Sequence, residues 1–207
     1  MKLTKYAHAC AVLEEQGKRL VIDPGVFTEL PDLSDVVAVI ITHVHPDHVS
    51  PELLQRILTA NPQAIVFSTD ETAAHHGDFP VTTVTAGQTV TAGPFKLTFT
   101  GGEHAVIHES LPRNHNVGVI VNDGALYFPG DSFVLPEVPV QTLLIPAAAP
   151  WMRIGEAIDF LAAVKPQRAV PTHDAILSEQ GKQVHDSHLG SKGITYQRLT
   201  PGESIEI

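Results

Sequence analysis

Five apolar segments of the sequence end on a histidine or an aspartate, and this recurrence constrains the fold more than any other feature. The segments are LVID, VIITHVHPDH, LTFTGGEH, LYFPGD and RAVPTH, and they end at Asp23, in residues 43–48, at His104, at Asp131 and at His173. Neighbouring strands bring their ends to one edge of a sheet, and a rigid sheet positions functional groups on the loops there. The pattern therefore predicts a functional site at one edge of a β-sheet.

The segment HVHPDH concentrates side chains that bind metals. His43 and His45 are two residues apart, so both imidazoles point the same way in an extended chain. Pro46 fixes φ and turns the chain, so that Asp47 and His48 face a neighbouring point. The segment thus offers two half-sites, and imidazole with carboxylate suits Zn²⁺, and also Mn²⁺ or Fe²⁺. Each half-site needs further ligands from the other segments that end on His or Asp.

Short strands outnumber helices in the sequence pattern. Apolar and β-branched runs predict strands from LTKYA near the start to TYQRL as the last. PELLQRILTA, after the capping residue Ser50, and RIGEAIDFLAAV, residues 153–164, have the periodicity of amphipathic helices, and Asp70 is predicted to cap a short helix in DETAAHH. We therefore predict one α/β domain over residues 1–207, with two sheets and helices outside them.

Charge and cysteine content exclude several classes of protein. The net charge of −10 argues against a protein that binds nucleic acid by its phosphates, which needs clustered Lys and Arg. A single cysteine, Cys10, excludes an intramolecular disulfide and a multi-cysteine zinc cluster. No apolar run of 18 residues occurs, and the segment MKLTKYAHAC has no apolar core typical of a secretory signal. We therefore expect no membrane partner and a cytoplasmic location.

Two further segments are candidates for contact with substrate. His108, Arg113 and His115 lie in the polar stretch HESLPRNHN and are candidates for binding an anionic or sugar-like group, with a solvated loop as the alternative. Trp151 follows the predicted strand TLLI and is a candidate wall of the pocket. A core position or a contact between subunits is the alternative for Trp151, so a homo-oligomer stays open.

The segment THVHPDH resembles the HxHxDH signature of the metallo-β-lactamase superfamily. An early strand-end aspartate, a later histidine, a Gly-Asp pair and a late histidine follow in the order of that family. The opening KYAHACAVLEEQGKRLVIDPG and the compact length resemble its small branch of metal-dependent hydrolases that includes the ascorbate-6-phosphate lactonase. The resemblance implies a four-layer αβ/βα sandwich, with two mixed β-sheets flanked by helices and metals at one edge.

The resemblance also implies a set of metal ligands. They are His43, His45 and His104 for the first ion, Asp47, His48 and His173 for the second, and Asp131 between the two.

The resemblance extends to residues around these ligands. Asp23 would orient a ligand rather than bind metal. His8 would lie near the site, with a core position equally open. The family places the third ligand of the first ion directly after a strand, which favours His104 over His108 and His115.

The function that the resemblance implies is a metal-dependent hydrolase. A hydroxide activated by two divalent ions would attack a small ester, lactone or phosphoester, and Asp47 would orient it or move a proton. Zinc is the expected metal, with manganese or iron as alternatives. The net charge disfavours a nuclease or phosphodiesterase of the same fold. The complete two-metal ligand set disfavours a single-iron sulfur dioxygenase and a non-catalytic metal-binding protein.

Overall fold

The computed structural model describes residues 1–207, apart from the side chain of Lys192. Within these residues the strands are β1 (Lys2–Lys5), β2 (Ala11–Glu15), β3 (Lys18–Ile22), β4 (Val36–Ile40), β5 (Ile65–Ser68), β6 (Val81–Thr83), β7 (Thr89–Ala92), β8 (Phe95–Glu103), β9 (His115–Val121), β10 (Leu126–Phe128), β11 (Thr142–Pro146), β12 (Arg168–Thr172), β13 (Thr195–Tyr196) and β14 (Ser204–Glu206). The helices are α1 (Pro51–Ala60), α2 (Asp70–His75), α3 (Ile154–Val164) and α4 (Glu179–Leu189), and short 3₁₀ turns occur at Asn122–Gly124 and Gly190–Lys192.

The strands form two seven-stranded mixed sheets. The first has the order β14-β1-β2-β3-β4-β5-β6, and the second has the order β13-β12-β11-β10-β9-β8-β7. In the first sheet, β1, β2, β3 and β14 pair antiparallel and β3 to β6 pair parallel. In the second, β7 to β10 pair antiparallel and β10 to β13 pair parallel. Each sheet thus joins an antiparallel half to a parallel half.

The main core lies between the two sheets. Leu20 and Ile40 of the first sheet and Phe99 and Val119 of the second belong to one buried cluster. The outer face of the first sheet packs against α1, where Leu54 lies in a second cluster. The outer face of the second sheet packs against α3 and the end of α4. These four layers confirm the predicted αβ/βα sandwich.

Helix α1 begins where the sequence predicts. The side chain of Ser50 accepts a hydrogen bond from the backbone N–H of Leu53, and Pro51 occupies the first helical turn. Both features stabilise the start of the helix. The first backbone N–H groups have no partner inside the helix, so the Ser50 side chain supplies one, and proline has no N–H to leave unpaired. Leu53, Leu54 and Ile57 are buried, so the apolar stripe faces the first sheet.

Three local predictions are corrected. The residue that caps α2 is Thr69 rather than Asp70: the Thr69 side chain accepts from the N–H of Thr72. The last strand is β14, which pairs with β1, rather than the TYQRL segment, of which only Thr195–Tyr196 is a strand. Helix α4 was not predicted, because Leu189 is its one buried residue and the helix has no apolar stripe to detect.

Among the described residues, every helix is too short or too polar to span a bilayer.

Candidate metal centre

The ends of strands from both sheets meet at one edge of the sandwich. The first sheet supplies Asp23 directly after β3 and the HVHPDH segment shortly after β4. The second sheet supplies His104 after β8, Asp131 shortly after β10 and His173 after β12. The five segments that end on His or Asp therefore converge as the sequence predicts.

His43, His45 and His104 form the first cluster of possible ligand atoms, which we call site one. The Nε2 atom of His43 lies 3.0 Å from Nδ1 of His45. The ring of His104 lies 4.9 Å from each of the other two rings, measured between centroids. His104, and neither His108 nor His115, is thus the histidine that lies beside the pair.

A second cluster, which we call site two, contains His8, Asp47, His48 and His173. The Nε2 atoms of His48 and His173 lie 3.0 Å apart. Asp47 Oδ2 lies 3.6 Å from His48 Nε2 and 3.0 Å from His8 Nε2. His48 and His173 are buried, whereas Asp47 is partly exposed, so site two has one open side.

Asp131 lies between the two sites with one oxygen towards each. Its Oδ2 lies 3.2 Å from His104 Nε2 of site one. Its Oδ1 lies 3.1 Å from His48 Nε2 and 2.6 Å from His173 Nε2 of site two. Oδ1 is buried without an aligned hydrogen bond, which is unusual for a carboxylate oxygen unless a cation occupies the space that it faces.

In site one, the second nitrogen of each imidazole has a protein partner. His43 Nδ1 lies 3.0 Å from Thr42 Oγ1, and His104 Nδ1 lies 2.5 Å from the carbonyl of its neighbour Ala105. His45 Nε2 lies 3.1 Å from Asn114 Oδ1. When these nitrogens donate to their oxygen partners, the lone pairs of the opposite nitrogens point into the centre, which is how proteins orient metal-binding histidines.

In site two, a buried carboxylate orients His48. Asp23 Oδ2 accepts from His48 Nδ1 at 2.6 Å and from the Thr42 hydroxyl at 2.7 Å, and Asp23 Oδ1 accepts from the Thr42 N–H at 2.7 Å. His173 Nδ1 lies 3.2 Å from the Thr172 hydroxyl. Asp23 thus contacts a candidate ligand from behind, as the sequence predicts, and also secures the start of the HVHPDH segment.

The electrostatics differ between the two sites. Burial lowers the pKa of His43 well below 6.5, with the neighbouring His48 adding to the effect, and burial also lowers the pKa of His45. Burial opposes protonation of His48 as well, but Asp131 and Asp23 outweigh it and raise its pKa well above 6.5. His43 and His45 of site one are therefore neutral, whereas His48 of site two carries a proton in the metal-free protein.

The carboxylates of the centre are ionised at neutral pH. Burial would raise the pKa of Asp131, but His173, His48 and His43 hold it well below its usual value. Burial would also raise the pKa of Asp47, but the hydrogen bond from His8 and the nearby His48 lower it to about 2. The centre thus offers two anionic groups and several imidazole lone pairs within a small, mostly dry volume.

Three residues of the centre adopt the left-handed backbone region. φ is 58° at His8, 46° at Asp23 and 59° at His173. Residues with a Cβ atom rarely adopt this region, because the conformation costs about 1–2 kcal/mol per residue. Gly25 contributes another tight point, because a Cβ there would lie 1.8 Å from the carbonyl oxygen of Asp47. The surrounding fold therefore holds the turns of the centre in conformations that are locally unfavourable.

His8 is closer to the centre than its distance in sequence indicates. It is buried, and its Nε2 contacts Asp47 while its Nδ1 has no hydrogen-bond partner. The buried Lys5 ammonium donates to the carbonyl of His8 at 2.6 Å and to that of Tyr6. The hydrogen bonds from Lys5 thus fix the loop between β1 and β2 and hold the His8 ring next to site two.

The polar loop before β9 provides different residues from those predicted to contact substrate. His108 is exposed and contacts Ser110, and the exposed His115 contacts Asp70. Arg113 donates to the carbonyl of His104 at 2.7 Å and pairs with Glu103. The structure does not bring these three side chains to the two clusters.

Two asparagines of the same region do reach the centre, and the sequence reasoning missed both. Asn114 accepts from His45 and donates to Glu71 Oε1 at 2.8 Å. The buried Asn116 accepts from the N–H of Asp131 at 3.0 Å and donates to the carbonyl of Pro129 at 3.0 Å. The asparagines in RNHN alternate with bulkier polar residues, and this alternation on a strand was the available signal.

Trp151 lies against Asp131. Its indole N–H donates to Asp131 Oδ2 at 2.6 Å, and its ring packs edge-on near His104 with a centroid distance of 6.2 Å. Trp151 is buried, so it belongs to the wall of the centre on the side of site one. Its contact with the central carboxylate was not predicted.

The donor set fits divalent cations. Imidazole and carboxylate ligands suit Zn²⁺, Mn²⁺ and Fe²⁺. In site one, the facing nitrogens of His43 and His45 lie 3.0 Å apart, and two neutral nitrogens without a proton or metal between them would repel. The buried Oδ1 of Asp131 has no hydrogen bond of good geometry. A cation in the centre explains both observations.

Comparison with known proteins places the chain among metallo-hydrolases. A family model described as a β-lactamase superfamily domain matches residues 2–173. Protein Rv0786c of Mycobacterium tuberculosis is 37% identical over 209 residues, which cover 99% of this chain and 98% of that protein. A UPF0173 metal-dependent hydrolase of Caldivirga maquilingensis is 27% identical over 187 residues, covering 80% and 78%. The structure of Igni18, a metallo hydrolase of Ignicoccus hospitalis, matches with a TM-score of 0.76 at 21% identity, covering 100% of this chain and 98% of that one.

Proposed function

The chain belongs to the β-lactamase superfamily, and from this premise we propose that its centre holds two divalent cations and hydrolyses a small ester, lactone or phosphoester. Relatives across most of its length are named metal-dependent hydrolases, and the chain is a hydrolase of this kind. The position of Asp131, with one carboxylate oxygen beside each cluster, is the observation that carries the two-metal proposal.

We propose the following division of ligands. His43, His45 and His104 hold the first ion, Asp47, His48 and His173 hold the second, and Asp131 holds both. Zinc is the expected metal and manganese the alternative. Each site combines side chains that follow strands of the first sheet with side chains that follow strands of the second sheet. This arrangement supports the proposal that residues 1–207 act as one domain.

The two cations, when bound, polarise the substrate oxygen and lower the pKa of water. Asp47 is the residue that faces both the open side and His8, since its Oδ2 lies 3.0 Å from His8 Nε2. Its carboxylate, ionised at neutral pH, orients the attacking water. His8 holds Asp47 in place through Nε2, and Trp151 holds Asp131 through its indole N–H.

Elemental analysis and a substrate panel test this proposal together. We expect about two equivalents of zinc or manganese per chain, and turnover of at least one of a set of lactones, thioesters and phosphodiesters. His45→Ala should lose metal and activity together, whereas the matched control His108→Ala, an exposed histidine outside both clusters, should retain both. One equivalent of iron with consumption of oxygen, or full activity in His45→Ala, would contradict the proposal.

A further inference from the structure

A cavity of about 270 Å³ opens directly onto site two. His8, Asp47, Asp131 and His173 form one end of it. The remainder of its wall is apolar and includes Val26, Phe27, Pro46, Ala148, Pro150 and Ile176. The cavity is close to the small end of the range of volumes that ligand pockets have.

The wall of this cavity has no group that would recognise a charge outside the metal centre. Within the described part of the chain, no Lys, Arg, Ser, Thr or Asn side chain lines it. A phosphate, carboxylate or sugar hydroxyl placed against this wall would lose water without gaining a partner, which is unfavourable. Arg113, the cation that the sequence offered for an anionic substrate, lines a different cavity.

The rim of the cavity is made of large apolar side chains that water reaches. Val26, Phe27 and Ile176 are 54%, 49% and 53% exposed. A single exposed apolar residue is ordinary, but several around one opening mark a binding surface. Val26 lies three residues after Asp23, and Ile176 lies three residues after His173, so the turns that position the centre also position this rim.

A larger cavity, of about 480 Å³, does not compete for this role. Thr98, Glu103, Arg113 and Glu137 are among the residues that line it, and none of the clustered His and Asp side chains does. A molecule bound there would not reach the metal centre. Chemistry rather than size therefore selects the smaller cavity as the place next to the reacting bond.

We infer that the cavity beside site two binds an uncharged, apolar group of the substrate, either an aliphatic chain or an aromatic ring. The scissile ester or lactone bond then lies at the Asp47 end, and the apolar group lies between Phe27, Pro150 and Ile176. The inference rests on the proposed function for the bond that is cleaved, and it excludes a phosphorylated sugar lactone as the substrate.

Binding of straight-chain hydroxamates to the metal-loaded protein tests this inference without turnover. The hydroxamate head binds divalent metals, and the tail reports on the cavity. Titration calorimetry across two to eight carbons should show Kd tightening by about fourfold for each methylene that is buried. A tail of equal length that ends in a carboxylate should bind more weakly than the plain chain, and metal-free protein should bind neither.

Substitutions at the rim distinguish binding in this cavity from non-specific hydrophobic binding elsewhere on the surface. Ile176→Ser and Phe27→Ser should each flatten the dependence of Kd on chain length. Val184→Ser is the matched control, because Val184 is 54% exposed on α4 and lies outside the cavity. It should retain the dependence, and circular dichroism of all three variants checks that they fold.

The outcomes for the inference and for the proposed function differ. Binding that does not depend on chain length, tighter binding of the carboxylate tail, or no hydroxamate binding by protein that carries its metals would overturn the inference. Chain-length dependence without hydrolysis of any ester, lactone or phosphoester would overturn the proposed function alone. Hydrolysis with a preference for charged substrates would overturn the inference alone.

Discussion

Site one and site two are built from similar residues but in different surroundings. Site one is three imidazoles oriented by neutral partners, such as the hydroxyl of Thr42 and the amide of Asn114. Site two contains a carboxylate ligand, a histidine oriented by the buried carboxylate of Asp23, and an open side onto an apolar cavity. The difference indicates that site one fixes a metal, whereas site two also meets the substrate.

Removal of the shared residue should abolish both sites and have the largest effect. Asp131→Ala removes the one carboxylate that faces both clusters, so metal content should fall from about two equivalents to below one and hydrolysis by about 10³-fold or more, as expected when several kcal/mol of metal-based stabilisation is lost. Asp123→Ala, which removes an exposed aspartate paired with Lys96, is the control. Two retained equivalents in Asp131→Ala would show that the sites do not share this residue.

Single ligand variants should separate the sites. His45→Ala leaves site one with two imidazoles and the shared carboxylate of Asp131, which is a weaker ligand set, so about one equivalent of metal should be lost after dialysis against a weak chelator. His173→Ala should weaken site two less, because His8 remains beside Asp47 and His48. Equal losses in the two variants would argue against a role for His8 as a reserve ligand.

The residues behind the ligands should have graded effects. Asp23→Asn replaces a carboxylate that accepts three hydrogen bonds in the dry interior, so metal affinity at site two should fall towards 100-fold. Asn114→Ala removes the neutral acceptor that His45 Nε2 contacts, and the metal affinity of site one should fall by closer to tenfold. Competition with a coloured chelator measures both, and a larger effect of Asn114→Ala would reverse the assignment of the stronger support.

Proton release on metal binding should also distinguish the sites. The raised pKa of His48 means that His48 must lose a proton near pH 7 when metal binds at site two, whereas the lowered pKa of His43 and of His45 means that these two ligands of site one lose almost none. Calorimetry in two buffers of different ionisation enthalpy measures this, with His45→Ala reporting on site two and its difference from the unmodified protein reporting on site one. Proton release from site one alone would contradict the assignment.

The same shift has a consequence for the stability of the metal-free protein. Because the pKa of His48 is higher in the folded than in the unfolded state, its contribution to the free energy of unfolding is fully present below pH 6.5 and is lost as the pH rises through the raised pKa.

The smallest effect is expected for the loop next to site one. Arg113→Ala removes a surface ion pair with Glu103 and a bond to the His104 carbonyl, so the free energy of unfolding should fall by at most about 1 kcal/mol. KM for neutral substrates should not change, because Arg113 lies outside the cavity at site two. A large rise in KM for an anionic substrate would restore the anion-binding role that the sequence suggested for this arginine.

The sequence predicted that the segments ending on His or Asp would meet, because each of them ends an apolar run that reads as a strand. The same pattern predicted two sheets with helices outside them, and the family resemblance implied the four-layer sandwich and the ligand sets. It did not predict the bond from Trp151 to Asp131 or the support from Asn114 to His45, because such contacts join loops whose relative position depends on the assembled sheets. Helix α4 escaped because its sequence, EQGKQVHDSHL, has almost no apolar residue to bury.

Other features lay beyond sequence patterns for local reasons. Thr69 and Asp70 are adjacent and both are good capping residues, so only the backbone conformation decides between them. Exposure of Phe27 and Ile176 around the cavity contradicts the expectation that large apolar residues are inside.

The left-handed backbone at His8, Asp23 and His173 has a consequence for protein engineering. Glycine at any of the three positions would adopt the same φ without strain, so a search for thermostable variants would favour it there. Each such substitution would remove a side chain of the centre and with it the chemistry, as occurs when activity depends on locally destabilised positions. A library screened for melting temperature alone should therefore become enriched in inactive proteins at these three codons, and activity must be selected in parallel.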